Sequence, residues 1–539
     1  MIYTVSVIVL YLLVIGYLGY VGYRQTKSSQ DFMVAGRKIH PLVMALSYGA
    51  TFISTAAIVG FGGAAGQLGM GILWLTFLNI FVGVFIAFLF FGKRTRKMGH
   101  NLDAHTFPEL LGERFNSRFI QTFTGIIIFI FMPIYAAAVL KGGVAFLESF
   151  FNMPFEPALL LFVSIVAIYV SMGGLKGVMY TDAFQGSIMF LGMVFLLILT
   201  YGRLGGVVSA HNQLTELFNN PQVQEQTKGL IQGGFRGWTS MPEFNSPIWW
   251  SLVTSIVMGV GIGVLAQPQL VVRFMTVKSN RELNRAVVSG GVFILMMTGV
   301  AFLMGALSNV VFFENTGEVA SAVGVDNIIP QYISSYVPEW FGTIFLLSLL
   351  AAGMSTLSSL FHTMGTAIGR DVYQKGLGKK GNSLLITRIG LMIVIVISTI
   401  LTWLSNDLDI SMAIIARGTS LFMGLAAATF LPAYIGAIYF KTMPKAAAIW
   451  GIVSGFASSF IWIFFINRTN ATSLQLSRLI FGKPFLVEGT SIEFVSQYDA
   501  VIIALPVSII VTGAVWLIYK LMNQKDIEDI HVNKCFKGI

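Results

Sequence analysis

Apolar stretches of about 20 residues, the length that spans a bilayer as one helix, recur along the whole of this chain. They predict thirteen membrane segments, at approximately 3–23, 41–65, 68–92, 118–148, 155–172, 181–202, 247–272, 286–310, 338–369, 385–404, 409–438, 446–466 and 499–521. No gap between them is wide enough for a soluble domain. The two longest, 203–246 and 467–498, are expected to be extramembrane loops carrying short surface helices. The fold class is therefore an all-α polytopic membrane protein.

Two segments are interrupted where the others run smoothly. Leu42–Gly63 carries Gly49 among Ser47, Thr51, Ser54 and Thr55, and Trp249–Val272 carries Gly259, Gly261, Gly263 and then Gln267–Pro268. Gly costs about 1 kcal/mol in a helix and Pro about 3 kcal/mol, so both stretches favour unwinding. Unwound backbone frees carbonyl oxygens that can hold a cation in mid-membrane. The alternative is close helix packing through small residues. With the first segment set aside, the interrupted pair are the first and sixth of a ten-helix unit, as expected of two inverted five-helix repeats with discontinuous first members. The whole chain, 1–539, then reads as a single transmembrane transporter domain. It comprises an N-terminal helix and loop (1–40), a ten-helix core (41–440, repeats at about 41–202 and 247–440), and two C-terminal helices with a tail (441–539).

Composition agrees with the pattern: 55% of residues are hydrophobic, 11% are charged, and the mean hydropathy is +0.77. The first segment lacks a basic leader, and Arg24 and Lys27 follow it, which predicts an uncleaved anchor with its N-terminus outside. From that start, only Arg203, Lys228, Arg236, Arg468, Arg478 and Lys483 fall outside. Lys141 and Arg417 fall within segments, and the other 26 of the 34 Lys and Arg residues fall on the inner side. This positive-inside bias assigns the C-terminus to the cytoplasm of a cell (plasma) membrane protein, and it accounts for the net charge of +10 without any nucleic-acid partner. The lone Cys535 excludes an intramolecular disulfide. Asn467 and Asn470 begin glycosylation sequons in an expected outer loop, which carry meaning only outside prokaryotes.

The chemistry concentrates in Phe341–Gly369, where Ser355, Thr356, Ser358 and Ser359 line up at i, i+1, i+3 and i+4. Isolated hydroxyls in lipid usually bond back to the preceding turn. Four together make an arc of neutral oxygens suited to a weakly held monovalent cation. Intramembrane ionisable groups are also functional suspects. Asp182 opens a helix on the inner side and reads equally as a cation ligand or a first-turn acid favoured by the helix dipole. Lys141 and Arg417 read as snorkelling to the interface, and His362 as a core histidine, with proton shuttling as its alternative.

Several short motifs carry a family resemblance: Ala35–Arg37, Ala50–Ser54, Thr106–Glu109 with Arg114–Phe115, Gly173–Gly174 with Thr181–Asp182 and Gln185, Gln267–Pro268, Arg273–Phe274 and Ala352–Thr356. In this order the chain resembles the sodium:solute symporters, which include the proline, pantothenate and glucose carriers. The resemblance implies a LeuT-like core of ten helices, Na+ as coupling ion and no cofactor. It implies a main sodium site of Ala50, Ile53 and Ala352 carbonyls with Ser355 and Thr356 hydroxyls, and in some members a second site at Asp182, Ser358 and Ser359. Thr51, Phe52, Gly263 and Gln267 are the candidate pocket residues. Proline carriers of the family have Asp where this chain has Phe52, whereas pantothenate and monocarboxylate carriers have an aromatic there.

The reading is a sodium-coupled symporter of a small carboxylate or amino acid, embedded in lipid, for which a monomer suffices. A proton-coupled carrier using Asp182 or His362 is its rival. An enzyme is not expected, because the chain has no HExxH, GxSxG, Walker A lysine or His/Cys cluster. No repeated filter-like loop suggests a channel, and no signalling domain suggests a sensor.

Overall fold

The computed structural model describes residues 2–26, 29–172, 174–379, 383–406, 414–524 and 526–539. Gly173 and the first five residues of the 409–438 segment lie outside them. Eleven helices are long and apolar enough to cross a membrane, and a bent pair, Pro41–Phe52 and Ala56–Leu68, makes a twelfth crossing. The thirteenth expected segment is the shorter helix Phe155–Met172. Only isolated parallel bridging between Ile39 and Val277 departs from this all-helical plan among the described residues.

The ten core crossings run from the bent pair to Ile414–Tyr439, with Ile2–Gln25 packed outside and Lys445–Ile466 and Ala500–Leu521 following. Burial separates core from periphery. Glu339–Gly376 and Ile415–Tyr439 are the most enclosed, while Ile2–Gln25 and Ala500–Leu521 leave Leu10, Leu13, Ile510 and Leu517 facing outward. In lipid such apolar faces are solvated by acyl chains and need no protein partner.

Glycine sets the closest approach. A Cβ on Gly305 would stand 1.9 Å from the Gly62 carbonyl oxygen, so Asn280–Thr316 lies backbone to backbone against Ala56–Leu68. The 203–246 loop folds onto the same end, with Trp238 buried and its indole N–H donating to Gly66 O at 2.7 Å. Thr106 caps Phe107–Arg114 by accepting from Glu109 N–H at 3.0 Å, while a Glu109 oxygen accepts from His105 N–H at 2.9 Å. This reciprocal cap is the physical content of the Thr106–Glu109 motif. Arg114, also buried, donates to the carbonyls of Ala437 and Phe440 and closes the end of Ile414–Tyr439.

Two readings of single residues change. The helix bearing Asp182 begins at Leu175, so Asp182 lies about two turns in and is no first-turn acid. Lys141 donates to Ser405 O at 2.8 Å, beside the end of the Ser383–Leu404 helix, where a cation complements the dipole.

Candidate functional site

The chain breaks at Ile53, which takes an extended conformation (φ −89°, ψ 99°) and ends Pro41–Phe52 with its N–H on Gly49 O at 2.8 Å. Ser54 restarts the second half by accepting from Ala57 N–H, and the two halves meet at 53°. At the break the carbonyls of Ala50 and Thr51 have lost their intrahelical donors. The hydroxyls of the facing helix take them up. Ser355 Oγ donates to Ala50 O at 2.8 Å and lies 3.2 Å from Ala352 O, and Thr356 Oγ1 donates to Thr51 O at 3.1 Å. The structure thus gathers Ala50, Ala352, Ser355 and Thr356 at one point, beside the extended residue Ile53.

A second cluster lies one turn further along Glu339–Gly376, where Leu175–Arg203 and Pro268–Phe274 join the same two helices. Asp182 Oδ2 accepts from Ser47 Oγ at 2.9 Å, Thr51 Oγ1 at 3.2 Å and Arg273 Nη2 at 2.9 Å. Arg273 Nη2 also donates to Ser359 Oγ at 2.7 Å and to Thr51 Oγ1, and Thr51 and Ser359 share a hydrogen bond of 3.0 Å. Ser358 Oγ turns back to Ser355 O at 3.0 Å. The other Asp182 oxygen, Oδ1, is buried without a hydrogen-bond partner. Asp182 and Ser359 therefore meet, Ser358 stands one position away, and Thr51 belongs here.

Arg273 was legible only as part of a short motif at the inner end of a segment. Its position comes from the second break: Gln267 is extended (φ −74°, ψ 114°), Pro268 starts the new helix Pro268–Phe274, and that helix carries Arg273 inward to complete burial. Gln267 Nε2 folds back to Gly263 O at 3.2 Å, and Gly263 packs on the Met423 backbone.

A small cavity of about 10 Å³ lies against the first break. Phe52 and Ser54 line it from the broken helix, Asn79, Tyr135, Thr298 and Thr419 from four others. Gly263 and Gln267 do not. Tyr135 hydrogen-bonds Ser54, and Asn79 Oδ1 has no partner. Sequence reading missed all four, because each helix gives the cavity one polar side chain and no local pattern links the four. Arg417 instead lines a separate cavity of about 280 Å³ together with Asp499, whose carboxylate accepts from Ser255 Oγ. In that cavity Asn467, which starts the first sequon, is 6% exposed and donates to Tyr498 O.

A helix broken where its carbonyls meet the hydroxyls of a facing helix is the arrangement expected of a cation-coupled secondary carrier. The solved structure of a Na+-coupled sialic acid symporter, in a substrate-bound outward-open state, has the same fold. Its TM-score is 0.72 at 18% identity, and the match covers 96% of this chain and 97% of that one. The chain belongs to the sodium:solute symporter family, which it matches over residues 32–455. It is 27% identical to the sodium/proline symporter 2 of Staphylococcus saprophyticus, over 92% of this chain and 93% of the relative. It is 28% identical to the osmoregulated proline transporter OpuE of Bacillus subtilis, over 83% and 86%. By family it is a sodium-coupled solute carrier.

Proposed function

We propose that the protein imports a small amino or imino acid, of the size of proline, together with sodium. The single observation that carries this reading is the meeting of Ala50 and Thr51 carbonyls with Ser355 and Thr356 hydroxyls at the break. A sodium ion entering there turns the hydroxyl lone pairs towards itself and takes the carbonyls of Ala50, Ile53 and Ala352 as further ligands. Because these groups come from Pro41–Phe52 and Glu339–Gly376, the ion fixes one helix against the other. That fixes Phe52 and Ser54, which line the central cavity. Solute bound among Asn79, Tyr135, Thr298 and Thr419 then favours the same closed arrangement, and this shared preference is the coupling.

Asp182 Oδ1, Ser358 and Ser359 form a second sodium site, with Arg273 as the resident charge that the ion must push aside. The membrane potential contributes about 2.3 kcal/mol per charge per 100 mV, so a second ion raises the attainable solute gradient steeply. The protein acts in the plasma membrane with its N-terminus outside and its C-terminus in the cytoplasm.

The proline-carrying relatives support the solute class. Phe52 supports a second reading, since an aromatic ring at the cavity wall gives an ammonium group no counter-charge and suits a pantothenate-like or short monocarboxylate solute. Uptake of radiolabelled proline, pantothenate and short monocarboxylates into proteoliposomes, with sodium and proton gradients imposed separately, tests both. Sodium-driven uptake is expected. Uptake driven by the proton gradient alone would overturn the sodium reading in favour of proton coupling.

A further inference from the structure

On the cytoplasmic side of the Asp182 cluster, in the orientation proposed above, lies a small chamber of about 20 Å³ lined by Arg273, Ser359, Gln269, His362, Thr106 and Asp371. Asp371 is 12 residues beyond Ser359 in sequence, which along a helix is about 18 Å. The chamber is too small for an organic solute. It has room for one water molecule or one small ion.

Its lining is unusual in one respect. Three of these side chains bury a polar atom that has no hydrogen-bond partner: Gln269 Oε1, His362 Nε2 and Asp371 Oδ2. All three residues are at least nine-tenths buried. The other Asp371 oxygen, Oδ1, accepts from Thr106 Oγ1 and Gln121 Nε2, both at 2.8 Å and both neutral. The nearest guanidinium groups are committed elsewhere: Arg273 pairs with Asp182 at 2.9 Å, and Arg370 pairs with Glu109 at 2.9 Å. Asp371 is thus a buried carboxyl group with no cation described in direct contact and with one oxygen left over. The same chamber is lined by Gln269, whose amide oxygen is also left over. Buried polar atoms of this kind call for a ligand, and carboxyl and amide oxygens suit a hard cation such as sodium.

We propose that this chamber is a transit site at which the coupling sodium ion pauses between the Asp182 cluster and the cytoplasm, held by Asp371 Oδ2 and Gln269 Oε1. The inference rests on the sodium reading above. A site on the release side binds weakly, so it is filled chiefly from the cytoplasmic solution. It sets the concentration at which internal sodium slows the carrier by blocking its own release. External sodium meets the main site first and does not read this site.

The test uses the full chain in inside-loaded proteoliposomes, comparing wild type with Asp371→Asn and with Gln269→Met, the latter as the second variant where the first fails to insert. External sodium half-saturation is expected to stay within about twofold in both, while the internal sodium needed for half-inhibition rises by about fivefold or more. In detergent, equilibrium binding of radiolabelled sodium should lose a low-affinity component and keep the tighter one. A sodium-driven wild type whose variants respond to internal sodium unchanged would overturn the transit site alone, and would leave a water or a retained proton as the occupant. Equal shifts on both sides would also overturn it, since Asp371 would then act only through the shape of the inner helices. A wild type indifferent to sodium gradients would instead overturn the coupling reading, and the transit site with it.

Discussion

Arg273 and Asp182 form a fully buried ion pair, Nη2 to Oδ2 at 2.9 Å, at the point where a second coupling ion would bind. The pair governs how that site can be probed. Removing one partner of a buried pair leaves an uncompensated charge and costs about 3 to 5 kcal/mol. Asp182→Asn would therefore change stability and sodium binding together. Ser358→Ala removes only a hydroxyl that bonds to its own helix, and so leaves the pair intact. We expect a sodium Hill coefficient above one in the wild type, falling towards one in Ser358→Ala, with solute uptake retained. A wild-type coefficient of one would leave Arg273 as the permanent occupant. Separately, Asp182→Asn should lower the unfolding temperature, and adding Arg273→Gln should restore part of it.

Thr356→Ala tests the main site. The hydroxyl bonds to carbonyls across the break, and Ala keeps the helix favourable. A hydrogen-bond-type contact to a charge is worth about 1.5 to 3 kcal/mol, so the sodium half-saturation should rise by about ten- to a hundredfold. Unchanged sodium dependence in a correctly inserted variant would mean that Thr356 only ties the two helices together.

The hydroxyl arc and the first break were readable because each concentrates several polar or helix-breaking residues in one window. Both are local signals. Asn79, Tyr135, Thr298 and Thr419 were not readable, since each helix contributes one polar position and only the fold brings them to one cavity. Arg273 was hidden for a different reason. It lies just beyond an apolar window, where positive-inside reasoning accounts for any Arg. The restart at Pro268 is what turns it into the core. Helix ends were blurred too, as the turn from Leu175 to Asp182 carries Lys176 and fails an apolar test while being helical.

The inner cap makes a pH prediction. Burial pushes the Glu109 carboxyl up, but His105 and Arg370 outweigh it and hold it down at about 2, against an ordinary value of 4.5. A carboxyl lowered in the folded state contributes stability that is fully present above its unfolded value and is lost as pH falls through its folded value. Through this group, stability should hold from about pH 8 to pH 5 and decline between about 4.5 and 2. Glu109→Gln should lower stability at neutral pH by about 1 to 3 kcal/mol and flatten the acid decline. Thermal unfolding in detergent at pH 7 and pH 3 measures both. A decline already under way at pH 6 and unchanged in the variant would assign the sensitivity to another group.

Orientation can be read by labelling, but not through the native cysteine. Cys535 is completely buried against the inner helix ends, where Asn101 Nδ2 donates to its carbonyl oxygen at 3.0 Å. Burial also pushes its thiol up, away from the reactive thiolate. A maleimide should miss it on either side of the membrane, so its silence carries no topological information. Ile530, 83% exposed in the same tail, and Gln232, exposed in the 203–246 loop, are the informative positions. In a Cys535→Ser background, an impermeant maleimide added to intact cells should label Gln232→Cys and spare Ile530→Cys. Permeabilised cells should label both. The surplus of Lys and Arg on one side of the membrane, with Arg24 and Lys27 following the first segment, predicts this orientation. Labelling of Ile530→Cys in intact cells would invert the topology, and with it the direction in which sodium drives the solute.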